Sequence, residues 1–596
     1  MARVFLTTLN AKFIHSSLAL RYLRAFIADA HDVVMEEFTI HDPLDYILGR
    51  VYEADPEVVG FSCYIWNIEE IKRLVPLIRK ILPHVVIVLG GPEVSYDTKE
   101  FLEENKAVDV VVIGEGEAPL RNLLAAIEQH QPYSAVSGIY YRAEDFSIHT
   151  TGPSSKLRLD DLPTPYPEDA MDELRNRIVY YEASRGCPFH CQFCLSSIED
   201  GVRYFSLQRV LDDLNRLIKA NVRQIKFVDR TFNLRKDYAM KIFEFLVENH
   251  GNTTFHFEIT GDILKSDIVQ WLCEHAPKGL FRFEVGVQST NDLTNELVRR
   301  RQDFTRLAAT VRKIKESGRI LQHLDLIAGL PEEDFLSFRN TFNDVFELRP
   351  DELQLGFLKL LKGTGLRQKA EQFGYVFMDT APYELLSNHS LTFSDIHRLK
   401  HMEDILEKYY NSGRFPYTLE YLITESFPTA FDFFLSFGEF WNAKGWARIG
   451  HQPLDLVRRL QAFLEYEGKF DENVTTLLHA DFLLREKLRP RSLLWDSGLS
   501  QAHQLELLRR LLQAQRTDVS DGYLMTKIND LEKRIVLDHA AIGAIPYMFA
   551  QVNVDPSEVY YLAYVYPIAV GRPIVYLLSD SILEVQHDMG LLANQI

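Results

Sequence analysis

Ile178-Val-Tyr-Tyr-Glu-Ala-Ser-Arg-Gly-Cys187-Pro-Phe-His-Cys191-Gln-Phe-Cys194-Leu195 is the stretch on which the reading of this chain turns. Its first half is a strand-like run, and its second half sets three cysteines at C-x3-C-x2-C spacing. Thiolates so spaced can hold three irons of a four-iron, four-sulfur cluster; with no fourth cysteine nearby, one iron stays open to a ligand. A zinc site completed by His190 is the rival reading, but His190 adjoins Cys191, and neighbouring side chains rarely reach one small ion together. Disulfide pairing fits poorly with five cysteines in 596 residues. The start, Met1-Ala-Arg-Val-Phe-Leu-Thr-Thr8, reads as a strand and not as a secretory signal, which points to a reducing, cytoplasmic setting. Cys63 and Cys273 lie in apolar runs and read as small buried hydrophobes.

From Ile178 onward, strand-like and helical runs alternate six times. The later strands read Gln224 to Val228, Thr254 to Thr260, Phe281 to Val287, Leu321 to Ala328 and Glu352 to Leu358, with helices such as Leu207 to Ile218 and Leu336 to Phe346 between them. Six such units make about three quarters of a (β/α)8 barrel, whose chemistry belongs at the C-terminal ends of the strands. The cysteines follow the first strand directly, where that logic puts them.

Upstream, Val4 to Leu6, Val33 to Phe38, Val58 to Ser62, Val85 to Leu89 and Val108 to Ile113 alternate with amphipathic stretches, the pattern of a parallel sheet covered on both faces. A ligand of such a doubly wound domain sits beyond the carboxyl ends of its strands. Those ends read Ser62-Cys-Tyr64-Ile-Trp66-Asn67, Gly90-Gly91-Pro92-Glu93-Val-Ser95 and Gly114-Glu115-Gly116-Glu117. Between the two modules, Asp160-Asp-Leu-Pro-Thr-Pro-Tyr-Pro167 carries three prolines in five positions and reads as a semi-rigid linker.

Together these motifs resemble the cobalamin-dependent radical S-adenosylmethionine (SAM) enzymes, of the class that includes methyltransferases. The resemblance implies that the open iron chelates SAM and that one electron cleaves it to a 5'-deoxyadenosyl radical. It implies SAM contacts from Phe193, from Asp229 at the end of strand two (in place of the usual Gly-Gly-Glu), and from Glu258 at the end of strand three. Further contacts would come from Glu284-Val-Gly-Val-Gln288-Ser289 and from Ile327-Ala-Gly329-Leu330-Pro-Glu332, the last with Glu where the family has Gly. Cobalamin would lie against Ser62, Tyr64, Trp66, Gly90, Gly91, Pro92, Glu93, Gly114, Glu115 and Gly116. Methionine-synthase-type domains supply a histidine to cobalt from Asp-x-His-x-x-Gly; here the stretch is Lys12-Phe13-Ile-His15-Ser-Ser-Leu18, without the Asp or the Gly. No axial histidine is therefore expected, and His15 reads as a loop or core residue.

The expected organisation is α/β: a Rossmann-like cobalamin-binding domain over 1–150, a linker over 151–175, a partial (β/α)6 radical SAM barrel over 176–366 and a mainly helical domain over 367–596. Leu360-Leu-Lys-Gly-Thr-Gly-Leu366 resembles the barrel exit, after which Ser394 to Tyr410, Leu454 to Glu465 and Gln501 to Gln513 show helical periodicity. The residues that select a small-molecule, lipid or peptide substrate are expected in this last part. A formal charge of −19 argues against a generally nucleic-acid-binding surface; Arg299-Arg300-Arg301 is the candidate for a local basic patch, although such a run at a helix end usually reads as a solvated face. No apolar run reaches the roughly 18 residues of a membrane helix. The function expected is methyl transfer to an unactivated carbon, using a [4Fe-4S] cluster, SAM and cobalamin, with electrons from a flavodoxin or ferredoxin. A radical cyclase or rearrangement enzyme, with or without cobalamin, and a cobalamin or iron-sulfur carrier or sensor are the alternatives.

Overall fold

The structure is a computed structural model that describes residues 2–198, 201–486, 495, 497–518, 534–550, 552–567, 571–579 and 583–586. Two compact units divide at residue 396: Met1–Ile396 and His397–Ile596.

The first unit opens with a seven-stranded sheet in the order β2-β1-β3-β4-β5-β6-β7. Strands β1 (Arg3–Asn10), β2 (Asp32–Thr39), β3 (Val58–Ser62), β4 (Val86–Gly90) and β5 (Val110–Val112) are parallel, and β6 (Ile139–Arg142) and β7 (Ile148–Thr150) return antiparallel. The valine-rich runs of β3 to β5 bury side chains on both faces. One core gathers Phe5, Phe61, Ile87 and Leu74; the other gathers Val4, Leu6, Val88 and Leu123. Helices α1 (Leu18–Ile27) and α4 (Glu117–Glu128) lie against each other on one side, while α2 (Leu44–Glu53) and α3 (Ile68–Ile81) pack together as a second pair. The strand order reverses between β1 and β3, so the crevice of a doubly wound fold opens beyond those two strand ends.

A second sheet holds six parallel strands in the order β15-β14-β13-β12-β11-β8. They are β8 (Ile178–Tyr181), β11 (Gln224–Phe227), β12 (Thr254–Ile259), β13 (Phe281–Gln288), β14 (Leu321–Ala328) and β15 (Glu352–Phe357); β9 (Ser184–Gly186) and β10 (Val202–Tyr204) form a separate hairpin that carries the cysteine loop. Burial alternates strictly along β13 and β14. Phenylalanines 227, 257, 281 and 283 point outward and pack with Phe232 and Phe243, rings 4.4–6.2 Å apart. Residues of the opposite parity face the barrel lumen and are charged: Lys226 and His256 each lie 2.8 Å from Glu284, and Arg282 pairs with Glu352. Parallel strands buried on both faces are usually apolar throughout. A lumen lined by ion pairs marks this one as a chamber and not a core.

The proline-rich stretch does not hang free. Leu159, Leu162 and Tyr166 are buried, Ser206 N–H donates to Asp160 at 2.8 Å, and Arg209 donates to the Leu162 carbonyl at 2.9 Å. Beyond the barrel, β16 (Val376–Phe377) and β17 (Leu385–Ser387) remain in the first unit; Asn388 donates to the Gly329 carbonyl at 3.0 Å.

The second unit is helical, with a four-stranded antiparallel sheet of β18 (Ile535–Ala540), β19 (Tyr560–Val565), β20 (Ile574–Leu578) and β21 (Leu583–Gln586). Its helices pack around Tyr409, Phe433, Phe437, Trp441 and Phe463. Asp481, completely buried, accepts from the Thr418 backbone at 2.8 Å and its hydroxyl at 2.7 Å. No helix of the described residues is long and apolar enough to cross a membrane.

Candidate active site

One cavity, about 700 Å³, is walled on one side by the strand-end loops of the first sheet and on the other by the ends of β8 and β11. That volume lies in the range of about 300–1,000 Å³ typical of small-molecule sites. Ser62, Tyr64, Trp66, Gly90, Gly91, Gly114, Glu115 and Gly116 line it from the first module; Tyr180, Glu182, Arg185, Val228 and Arg230 line it from the barrel. The cavity also descends between strands, reaching Leu6, Gly60, Phe61 and Val88. At Gly60 a Cβ would come within 2.8 Å of Leu6, and at Gly114 it would meet only open space. A deep apolar slot beneath a wide mouth fits a corrinoid whose nucleotide tail enters the sheet. Tyr64 and Trp66 stack on each other at 4.5 Å and stand on the wall without closing it.

Two residues expected beside them lie elsewhere. Glu93 is 2% exposed and accepts from the Tyr383 hydroxyl at 2.8 Å; Pro92 does not line the cavity. Glu115 lines it but is paired with Arg203 and lies 3.4 Å from Arg185. A Cβ at Gly91, whose φ is +107°, would strike the backbone of Cys63 and not the cavity, so that glycine serves the turn.

The cysteine loop is held at both ends. Gly186, at φ +103°, passes so close to Gly201 that a Cβ would strike its carbonyl. Gln192 N–H donates to Val298 O and its carbonyl accepts from Leu366 N–H, both at 2.9 Å. Cys187 and Cys191 are buried and Cys194 is half-buried. Burial pushes the first two thiols up; Cys194 acts on both, and Cys187 acts on Cys191 as well. Among the described residues no three His, Cys, Asp or Glu side chains are gathered as a single-ion site. Phe193 is half-buried in the same loop.

The strand-end residues divide. Asp229 is not available to SAM: it is 2% exposed, accepts from Ala183 N–H at 2.9 Å and from the Ser184 hydroxyl at 2.5 Å, and thereby ties β11 to the backbone entering the cysteine loop. Glu284 is likewise engaged, held in mid-lumen by Lys226 and His256, which keep it well below the usual carboxylate range against the opposing effect of burial. Glu258 faces the lumen beside Glu284 in register, and burial pushes its carboxyl up while Arg230 pulls it down. Gln288 stands at φ +69° with its side-chain oxygen buried and without a hydrogen-bond partner. Ile327 is half-buried and Leu330 fully buried, while Gly329 at φ +98° runs against Leu385.

Several residues carry no sequence signal of their own. Arg185, inside the cysteine motif, lies 2.7 Å from Glu117, 2.8 Å from Glu182 and over the Tyr22 ring, joining the cluster hairpin to the glycine loop of the first module. Its neighbour Glu182 is pushed up by burial and pulled down by Arg185. The Arg230 side chain lines the cavity and makes no hydrogen bond or ion pair among the described residues. Arg300, expected on a solvated face, instead turns inward, donating to the Gly286 carbonyl and acting on the Cys191 sulfur. Cys273 is only half-buried, its thiol 3.7 Å from the Lys313 carbonyl. His15, expected in loop or core, lines the cavity.

Comparison with known proteins agrees with this geometry. Residues 6–124 match the B12 binding domain, 181–345 the Radical SAM superfamily, and 371–560 a domain described as a protein of unknown function (DUF4080). The cobalamin-dependent radical SAM methyltransferase TokK of Streptomyces tokunonensis is 28% identical over 371 residues, covering 58% of this chain and 53% of that protein. The chain thus spans about half the length of such curated relatives. Among solved structures, the radical SAM methyltransferase TsrM from Kitasatospora setae, with cobalamin and a [4Fe-4S] cluster bound, shares the fold at TM-score 0.53 and 18% identity, over 64% of this chain and 76% of that one. The cobalamin-dependent SAM radical enzyme OxsB, with aqua-cobalamin and SAM bound, does so at TM-score 0.55 and 15% identity, over 89% and 83%. The chain therefore joins a B12-binding domain, a radical SAM domain and a third domain of the DUF4080 type. Cobalamin, SAM and a [4Fe-4S] cluster are the cofactors of that combination.

Proposed function

We propose that this protein is a cobalamin-dependent radical SAM methyltransferase acting on an unactivated carbon. The observation that carries the proposal is the single cavity shared by the cobalamin-type loops and the cluster-bearing strand ends. A reaction that needs two cofactors at one carbon needs both to face one chamber. When bound, the cluster with SAM supplies a carbon-centred radical and the corrinoid a transferable methyl group. Cys187, Cys191 and Cys194 hold the cluster, and the Arg300 guanidinium offsets negative charge at Cys191. Gln288, Glu258 and the Ile327–Leu330 backbone are the groups left open to SAM once Asp229 and Glu284 are set aside. Arg230, which lines the cavity and whose side chain makes no hydrogen bond or ion pair among the described residues, orients an anionic group that enters beside the cluster. Electrons come from a flavodoxin or ferredoxin in the cytoplasm, a reducing compartment that suits cysteines held outside disulfides.

Cluster-loaded, corrinoid-loaded protein given dithionite and SAM labelled in its methyl group should form both S-adenosylhomocysteine and 5'-deoxyadenosine. Deoxyadenosine without any S-adenosylhomocysteine would replace methyl transfer by another radical reaction. Neither product, from fully loaded and reduced protein, would leave a sensor or carrier.

A further inference from the structure

The geometry points to His15 as the lower axial ligand of cobalt when a corrinoid occupies the cavity. The inference rests on the cobalamin reading above. It reverses the expectation drawn from the missing Asp and Gly of the histidine motif, and the reason lies in what the barrel contributes.

His15 follows β1, on one side of the switch point between β1 and β3, where a ligand of this fold centres. Tyr64 and Trp66 follow β3 on the other side. Among the described residues that line the cavity, His15 is the one histidine. Its backbone is anchored as loop residues rarely are. The carbonyl accepts from Asn10 at 3.1 Å and from Arg177 at 3.3 Å, and the preceding Ile14 carbonyl accepts from Ile178 N–H at 2.8 Å. The next residue, Ser16, donates to the Ile178 carbonyl at 2.9 Å. Residues Ile14 to Ser16 thus continue the barrel sheet as a stub beside β8.

The ring is oriented too. His15 Nδ1 lies 2.8 Å from the Tyr180 hydroxyl, and Nε2 has no hydrogen-bond partner among the described residues. A histidine that ligates through Nε2 needs its Nδ1–H held by an acceptor, which fixes both tautomer and ring plane. In the usual motif a carboxylate two residues upstream does this; here the phenol oxygen of Tyr180, 165 residues downstream, stands in its place. Burial, with Lys12 and Lys226 nearby, holds the imidazole below its ordinary pKa. A phenol pulls on the Nδ1 proton less than a carboxylate does, so the axial bond is weaker than one backed by Asp and is readily released.

The test uses full-length protein loaded with cob(II)inamide, a corrinoid without a nucleotide base, so that any axial nitrogen belongs to the protein. Corrinoid content is measured first, because protein that fails to load speaks against the cobalamin reading and not against the ligand. In loaded wild type, the high-field cobalt lines of the electron paramagnetic resonance spectrum should each split into three. With [15N]histidine-labelled protein they should split into two, a result that needs no variant. His15→Ala should load but lose the splitting, and Tyr180→Phe should load and show it in a smaller fraction of the cobalt. An unsplit spectrum from loaded wild type, or splitting that survives His15→Ala, overturns the assignment.

Discussion

Asp229 shows how one residue changes role between sequence and structure. Its position at a strand end suggests a ligand contact, yet both carboxylate oxygens are spent on Ala183 and Ser184. Burial raises its carboxyl to about 7 against the opposing effect of those hydrogen bonds. A folded-state pKa above the unfolded value of about 3.9 means that the folded state binds the proton more tightly. This group's contribution to stability is therefore full below about pH 4 and is lost as pH rises through about 7. Asp229→Asn, which cannot titrate, should flatten that slope, so melting curves of the two proteins should diverge between pH 5 and about pH 8; parallel curves would show that Asp229 does not titrate there. Asp229→Ala should cost about 2–4 kcal/mol by stranding two buried donors, with SAM affinity unchanged in protein that keeps its cluster. Arg300 makes the complementary case for charge. A cation beside the Cys191 sulfur stabilises the more negative, reduced cluster. Arg300→Gln should accordingly lower the cluster's midpoint potential in a redox titration, and an unmoved potential would separate Arg300 from the cluster.

At the scale of elements, six barrel strands and the five parallel strands before them are legible because their hydrophobic runs are long and regularly spaced. The polar half of each barrel strand is where sequence reading falters. A carboxylate such as Glu284 looks the same in sequence whether a ligand or a lysine two strands away meets it, and the partner here is 58 residues away. Backbone strain is equally silent until the fold is known. Glu332, in the loop after β14, sits at φ +57°, a conformation that costs an L-residue about 1–2 kcal/mol and glycine nothing. Glu332→Gly should therefore raise stability by up to about 1 kcal/mol, after the extra freedom of glycine in the unfolded chain is counted. A fall in denaturation midpoint would mean that the Glu332 side chain is anchored more firmly than its backbone is strained.

At the scale of the whole first unit, the cofactor-binding halves are tied together by charge. Arg185 lies between the cysteine motif and the glycine loop, and buried Arg21, 3.0 Å from Glu37 and 2.9 Å from Glu173, joins the first sheet to the segment ahead of β8. Removing one member of a buried network leaves the others uncompensated, at a cost of about 3–5 kcal/mol. Arg185→Met should lower corrinoid and iron content together, whereas loss of one with the other intact would show that the two sites are assembled independently.

What the sequence determined by itself was the order of domains, the places of the strands and the three cysteines, because hydrophobic period and ligand spacing are local properties of a chain. Tertiary structure decided the chamber. Tyr180 beside His15, Arg185 beside Glu117, Arg300 beside Cys191 and Lys226 beside Glu284 are pairings across 58 to 165 residues. Such contacts have no period; some cross the barrel and others join the two sheets, and only the folded chain brings them together.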